Sequence, residues 1–252
     1  GSIMGPLLGG YMASWFGMRM SFYVGSLALF AGTVAVMLVV KDMTILQKGS
    51  FNASSLWNDL KESLQNKELR FIMFMFFMIQ TCIMTIQPLI TMYVGQLMGA
   101  MGDEAVKMSG VIFSLAGFAG ILAAPFWGKR GQRYGYVRVF ALVTFTAGFI
   151  NLFQVFIKDV WQFAVIQFIY GLFLAGAVPN INANLTVVTD KATRGKAFGL
   201  STSANQFGGV VGPLLGGALG AVMTTRYVLV ATGCILMCMG AYSYFTREHK
   251  AA

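Results

Sequence analysis

The sequence is poor in charge. Of its 252 residues only 11% are Asp, Glu, Lys or Arg, against roughly a quarter in an ordinary soluble domain. Hydrophobic residues make up 57%, and the mean hydropathy is +0.69, so a water-soluble globular protein is excluded. Histidine occurs once, as His249 in the polar tail. The three cysteines, Cys82, Cys234 and Cys238, lie in apolar stretches with no His or carboxylate nearby to complete a metal site, and they read as small packing residues. No nucleophile, base and orienting group gather at helical spacing, and the polar connections are too short for a catalytic domain, so an enzyme is not expected. The first apolar residues have no basic flank, which leaves no signal-peptide pattern.

Long apolar runs are what the sequence has in quantity. Eight are read: Gly1 to Phe16, Ser21 to Val40, Phe71 to Met98, Met108 to Trp127, Val137 to Ile157, Val160 to Val188, Phe198 to Val222 and Tyr227 to Phe245. At about 20 residues per bilayer crossing they account for most of the chain, and the predicted fold class is an all-α polytopic membrane protein. The net charge of +9 then has a topological explanation. Taking alternate connections as one side, 14 of the 18 Lys and Arg fall in residues 41–70, 129–138, 191–196 and the C-terminal tail. The other side holds only Arg19, Lys107, Lys158 and Arg226. This is the positive-inside pattern; it places the long connection and the C-terminus in the cytoplasm and makes a nucleic-acid partner unnecessary.

Internal repetition is the most informative feature. Residues 1–10 read GSIMGPLLGG and residues 208–217 read GGVVGPLLGG, so Gly1, Gly5, Pro6, Gly9 and Gly10 recur as Gly208, Gly212, Pro213, Gly216 and Gly217. The two copies lie six apolar runs apart, and a parallel six-helix repeat is the architecture of two-halved secondary transporters. If the two copies are the fifth and eleventh helices of a twelve-helix protein, the chain supplies helices five to twelve and lacks one to four. The first run, about 16 residues or roughly 24 Å long, is short of a hydrocarbon core of about 30 Å, as expected for a chain that starts inside a helix. In lipid, small residues let helix backbones approach closely, and Gly-Pro permits a kink that neighbouring helices accommodate.

GSIMGPLLGG resembles the fifth-helix signature of the drug:proton antiporters of the major facilitator superfamily, and the copy at Gly208 resembles its weaker counterpart in helix eleven. GKRGQRYGYVR, from Gly128 to Arg138, is similar to the superfamily's short basic loop, here between helices eight and nine. Gly128, Arg133 and Gly135 match, and Gln132 stands where the pattern has Asp. QFIYGLFLAGAVPNINANL, residues 167–185, resembles the tenth helix of bacterial multidrug exporters. The resemblance implies a cell-membrane exporter that needs no cofactor, is driven by the proton gradient, and takes a small-molecule substrate. It divides the chain into residues 1–40, the last two helices of the first bundle; residues 41–70, a cytoplasmic connection; and residues 71–252, the second six-helix bundle. The bilayer and the missing helices one to four are its expected partners.

Three candidate groups follow. The glycines and prolines of the two repeat copies are expected to act in packing and hinging. Gly128, Lys129, Arg130, Arg133, Gly135 and Arg138 are expected to form a cytoplasmic gating loop, with Gly131 and Gly135 permitting its reversal and its arginines reaching the carbonyls at neighbouring helix ends or lipid phosphate. A purely topogenic basic loop is the alternative. For the substrate cavity, Gln80, Met84, Gln87 and Thr91 share one helical face beside Pro88, while Gln167, Tyr170 and Asn180 sit on a run loosened by Gly176 and Pro179. The resemblance puts both runs at the central cavity, where methionine and aromatic walls suit varied apolar molecules. For the amides, hydrogen bonding between helices is the competing role.

None of the nine acidic residues falls inside an apolar run, so a carboxylate that protonates at membrane depth is expected in the absent helices. In the long connection, Leu56, Trp57, Leu60 and Leu64 form the apolar stripe of an amphipathic helix expected to lie on the membrane. The expected function is proton-coupled efflux of apolar or amphiphilic drugs, with antibiotic resistance as its consequence. The rivals are a specific sugar or metabolite transporter of the same superfamily and a non-transporting membrane scaffold or sensor.

Overall fold

The structure, a computed structural model, describes residues 4–39, 65–99, 102–191 and 193–248. Its helices are α1 (Met4–Val39), α2 (Lys67–Met98), α3 (Asp103–Tyr134), α4 (Tyr136–Phe153), α5 (Val160–Leu174), α6 (Ala177–Val188), α7 (Arg194–Val222) and α8 (Thr225–Glu248). A short 3-10 turn, Gln154–Phe156, extends α4, and among the described residues there is no strand. Gly1 and the expected amphipathic helix with Leu56, Trp57, Leu60 and Leu64 lie outside the described residues.

Six stretches among the described residues are long and apolar enough to cross a bilayer: Leu8–Val39, Lys67–Met98, Asp103–Tyr134, Tyr136–Phe156, Val160–Val188 and Thr225–Thr246. Within the described residues each of the eight expected runs is essentially helical, and the count differs for two reasons. The first two runs are joined in α1, whose helical path breaks at Gly17 with φ 81° and ψ 159°, a backbone conformation open to glycine alone. The seventh run, α7, is 29 residues long but carries eight glycines, which add length without apolar surface. The run Val160–Val188 is two helices, divided at Ala175 and Gly176, next to the Gly176 and Pro179 expected to loosen it.

Local signals start these helices where the apolar periodicity begins. Asn66 caps α2, its side-chain oxygen accepting from the Glu68 and Leu69 amides at 3.0 and 3.3 Å. Asp159 caps α5 by accepting from the Trp161 amide at 2.9 Å.

Packing follows pairs: α2 runs chiefly against α7, α4 against α8, α3 against α5, and α1 against α3. The tightest contacts are glycine contacts. A Cβ added at Gly148 of α4 would lie 2.6 Å from the Gly233 carbonyl oxygen of α8, and one at Gly240 would lie 2.7 Å from the Phe145 nitrogen. Backbones this close exchange dispersion contacts that no larger residue would allow. The buried apolar side chains form two clusters. One gathers Ile72, Met75, Ile79, Phe140, Val143, Ile181 and Leu185; the other gathers Ile90, Tyr93, Ile112, Phe163 and Leu229. Helix α1 contrasts with both, because no residue of its most apolar stretch is buried.

Candidate functional site

Helices α2, α3 and α5 surround a cavity of about 720 Å³. Its walls are mostly apolar, with Ile86 and Ile90 from α2 and Ile112 and Phe113 from α3, while Gln87, Gln167 and Tyr170 bring the side-chain polar groups. Gln167 and Tyr170 are buried and Gln87 is exposed. The α3–α5 wall is thin because Gly171 has no side chain: a Cβ there would lie 2.9 Å from the Ala116 carbonyl oxygen. Pro88, inside α2, has no amide hydrogen with which to close the helical ladder, and it sits one residue from Gln87.

Four of the six residues expected at the cavity meet there: Met84, Gln87, Gln167 and Tyr170. The other two serve helix packing. Gln80 faces α7, where its side-chain oxygen accepts from the Asn205 amide nitrogen at 3.5 Å. Asn180 is buried and donates to the Gly176 carbonyl at 2.7 Å and the Trp127 carbonyl at 3.3 Å. A side chain at Gly131 of α3 would collide with the Asn180 carboxamide oxygen, so Gly131 and Asn180 are fitted to each other. Trp127, which sequence reasoning left as the end of an apolar run, completes this brace. Its indole nitrogen donates to the Leu172 carbonyl at 2.7 Å, and its ring fills the space over Gly176. The break in the chain at Gly176 was the available signal that a large side chain had to lodge there.

The segment expected as a gating loop departs from that reading. Gly128, Lys129, Arg130 and Arg133 belong to α3, which continues to Tyr134, and the reversal takes place at Gly135 alone, with φ 97°. Gly131 is inside the helix and acts in packing instead of turning. Falling hydropathy marked the end of the apolar run; the helix, whose backbone bonds need no apolar side chain, continues for two turns beyond it. The Arg130 guanidinium lies 4.1 Å from the Phe126 ring centre, and the Arg133 guanidinium 5.4 Å from that of Tyr134. Arg138 is exposed on α4. The contact with helix-end carbonyls expected of these arginines is made by Arg194, which donates to the Thr186 carbonyl in the last turn of α6 at 3.0 Å and to the Thr189 carbonyl just past its end at 3.5 Å.

The repeat copies occupy unlike surroundings. On α7, Gly208, Gly212 and Gly216 press on α2: an added Cβ would collide with the Phe77 carbonyl, lie 2.5 Å from the Met84 Cβ, and collide with the Thr85 carbonyl, respectively. Gly217 faces open space. On α1, Gly5 and Gly9 face open space, while Gly10 meets α3, with the Val106 carbonyl oxygen 3.3 Å and the Gly110 Cα 3.4 Å from an added Cβ. Pro6 lies in the first turn of α1 and Pro213 inside α7.

Long apolar helices, a glycine-packed bundle and a largely apolar cavity within it define a polytopic membrane protein of the helical transporter class. The chain matches the Major Facilitator Superfamily over residues 1–122 and 105–252 and belongs to that family. It is 31% identical over 95% of its length to the uncharacterized MFS-type transporter YuxJ of Bacillus subtilis (strain 168), covering 62% of that protein. It is 28% identical over its whole length to the multidrug resistance protein MdtG of Dickeya zeae (strain Ech586), covering 61%. To the multi-drug resistance efflux pump PmrA homolog of Lactococcus lactis subsp. lactis (strain IL1403) it is 27% identical over 94% of its length, covering 58%. The chain thus spans about three-fifths of the length of the curated relatives it matches.

Proposed function

We propose that the chain is the helix-five-to-twelve portion of a secondary transporter that exports apolar or amphiphilic compounds in exchange for protons, by rocking of two bundles about a central site. The observation that carries this reading is the cavity of about 720 Å³ between α2, α3 and α5. Isoleucine and phenylalanine walls accept apolar bodies of varied shape, while two carboxamides and a phenol offer a few hydrogen bonds without charge. The names of relatives such as MdtG and the PmrA homolog agree with this substrate class.

In this reading residues 1–40 close the first bundle, residues 41–70 form the cytoplasmic connection, and residues 71–252 are the second bundle. Helices one to four precede the chain, and they hold the carboxylate that protonates at membrane depth. The proton gradient supplies the energy, no cofactor takes part and no reaction is catalysed. The protein lies in the cell membrane with its C-terminus in the cytoplasm, the side that carries most of the Lys and Arg.

The test is efflux of a fluorescent lipophilic dye from proteoliposomes holding the full-length gene product, with and without an imposed pH gradient. Dye movement that requires the gradient and shifts luminal pH reciprocally is expected. Uptake of one sugar or metabolite in place of dye, or no movement by folded protein, would overturn it. Within the cavity, Gln167→Leu is expected to slow transport of hydrogen-bonding dyes roughly fivefold, the worth of about one neutral hydrogen bond, while leaving purely apolar dyes little changed.

A further inference from the structure

Where α2 begins and α8 ends, a cleft of about 530 Å³ opens between them. Its described lining includes Lys67, Glu68, Arg70, Phe71, Phe74 and Tyr242. The Phe71 and Tyr242 rings, with centres 6.2 Å apart, bring the two helices together beside it. Lys67 and Arg70 are exposed and stand three residues apart on α2, so both leave one face of the helix. Phe74 is a turn further into the apolar span and 49% exposed. The cleft is basic at the level where α2 is charged and aromatic at the level where α2 enters the hydrocarbon.

The geometry points to a binding site for an anionic glycerophospholipid, with Lys67 and Arg70 holding the phosphate and Phe71 and Phe74 flanking the start of an acyl chain. Charged and apolar groups follow one another across the cleft in the order in which a phospholipid presents phosphate and acyl chain at a membrane surface. Glu68 also faces the cleft, and among its described lining residues two cations stand against one carboxylate, which favours an anionic headgroup over a zwitterionic one. A free phosphate would meet the cations and make no use of Phe74. The site is separate from the cavity between α2, α3 and α5. It rests on membrane embedding alone, whatever the substrate and whichever side the cleft faces.

The test is native mass spectrometry of the delipidated chain in detergent, titrated with phosphatidylglycerol, phosphatidylcholine or inorganic phosphate. A phosphatidylglycerol adduct that millimolar phosphate does not displace is expected, with phosphatidylcholine binding more weakly. The K67Q/R70Q variant is expected to lose roughly tenfold in phosphatidylglycerol affinity, and Phe74→Ala to lose part of it. K67R/R70K retains binding, and so does K107Q/K158Q, which removes the same charge at the opposite end of the bundle. Because Lys67 and Arg70 are exposed, unchanged helical circular dichroism is expected throughout. Undiminished binding by folded K67Q/R70Q, equal binding of phosphatidylcholine, or displacement by phosphate alone would each overturn the proposal.

Discussion

Helices α1 and α7 carry the same Gly, Gly-Pro and Gly-Gly pattern and use different faces of it. In α7 the stripe Gly208, Gly212 and Gly216 is covered by α2, and Gly217 is open. In α1 the corresponding Gly5 and Gly9 are open, and Gly10, the counterpart of Gly217, meets α3. One motif thus offers two glycine faces a short rotation apart, and each copy in this chain has one of them occupied. What differs is the neighbour, since α7 lies within the bundle built from α2 to α8 while α1, among the described residues, meets that bundle chiefly through α3. A glycine face is worth something only when another backbone fills it, so the stability carried by a repeat copy is set by its surroundings.

The largest expected effect breaks the occupied face. Gly212→Leu forces a side chain into a space where even a Cβ lies 2.9 Å from the Thr81 carbonyl oxygen; it should cost about 3 kcal/mol, seen as a lower thermal midpoint of tryptophan fluorescence in detergent. A smaller effect is expected at the face that α1 uses. Gly10→Leu should cost about 2 kcal/mol, because an added Cβ already meets the Val106 carbonyl tightly, at 3.3 Å, but without the overlap found at Gly212. The same contact is open to a direct check: a Cβ at Gly10 lies 3.8 Å from the Lys107 Cα, so a G10C/K107C pair in a background lacking Cys82, Cys234 and Cys238 should form a disulfide under mild oxidation. The smallest effects belong to the open faces. Gly9→Leu and Gly217→Leu should change the stability of this chain by no more than about 0.5 kcal/mol. If helices preceding the chain cover those faces, the same substitutions should destabilise the full-length protein several times more, and equal effects in both contexts would sink that idea.

Much of the fold was legible because hydropathy and glycine act locally. The eight apolar runs, the break at Gly17 and the division near Gly176 all follow from what a residue can do in its own stretch of chain. The candidate site was legible only in part. Met84, Gln87, Gln167 and Tyr170 meet at one cavity, whereas Gln80 and Asn180, residues of the same chemistry on the same helical runs, turn toward α7 and Trp127. A carboxamide suits a cavity wall and a helix contact equally, and the rotation of its helix settles which it meets. The basic segment after Trp127 reads as a loop in the sequence and is mostly helix in the structure for a related reason. Loss of hydropathy signals the end of the membrane, and the end of the helix came later, at the one residue, Gly135, whose φ of 97° takes the chain out of it.

By itself the sequence determined that this is a polytopic helical membrane protein in which one glycine-proline motif recurs, because a chain so poor in charge and so rich in long apolar runs must satisfy its backbone in lipid as helices. The tertiary structure alone decided which glycine face each repeat copy uses, which amides reach the cavity, and that a basic, aromatic-lined cleft lies between α2 and α8. Each of these depends on which helices are neighbours and how they are rotated, and residues far apart in the chain, such as Gly212 and Met84 or Phe71 and Tyr242, acquire their roles only on meeting.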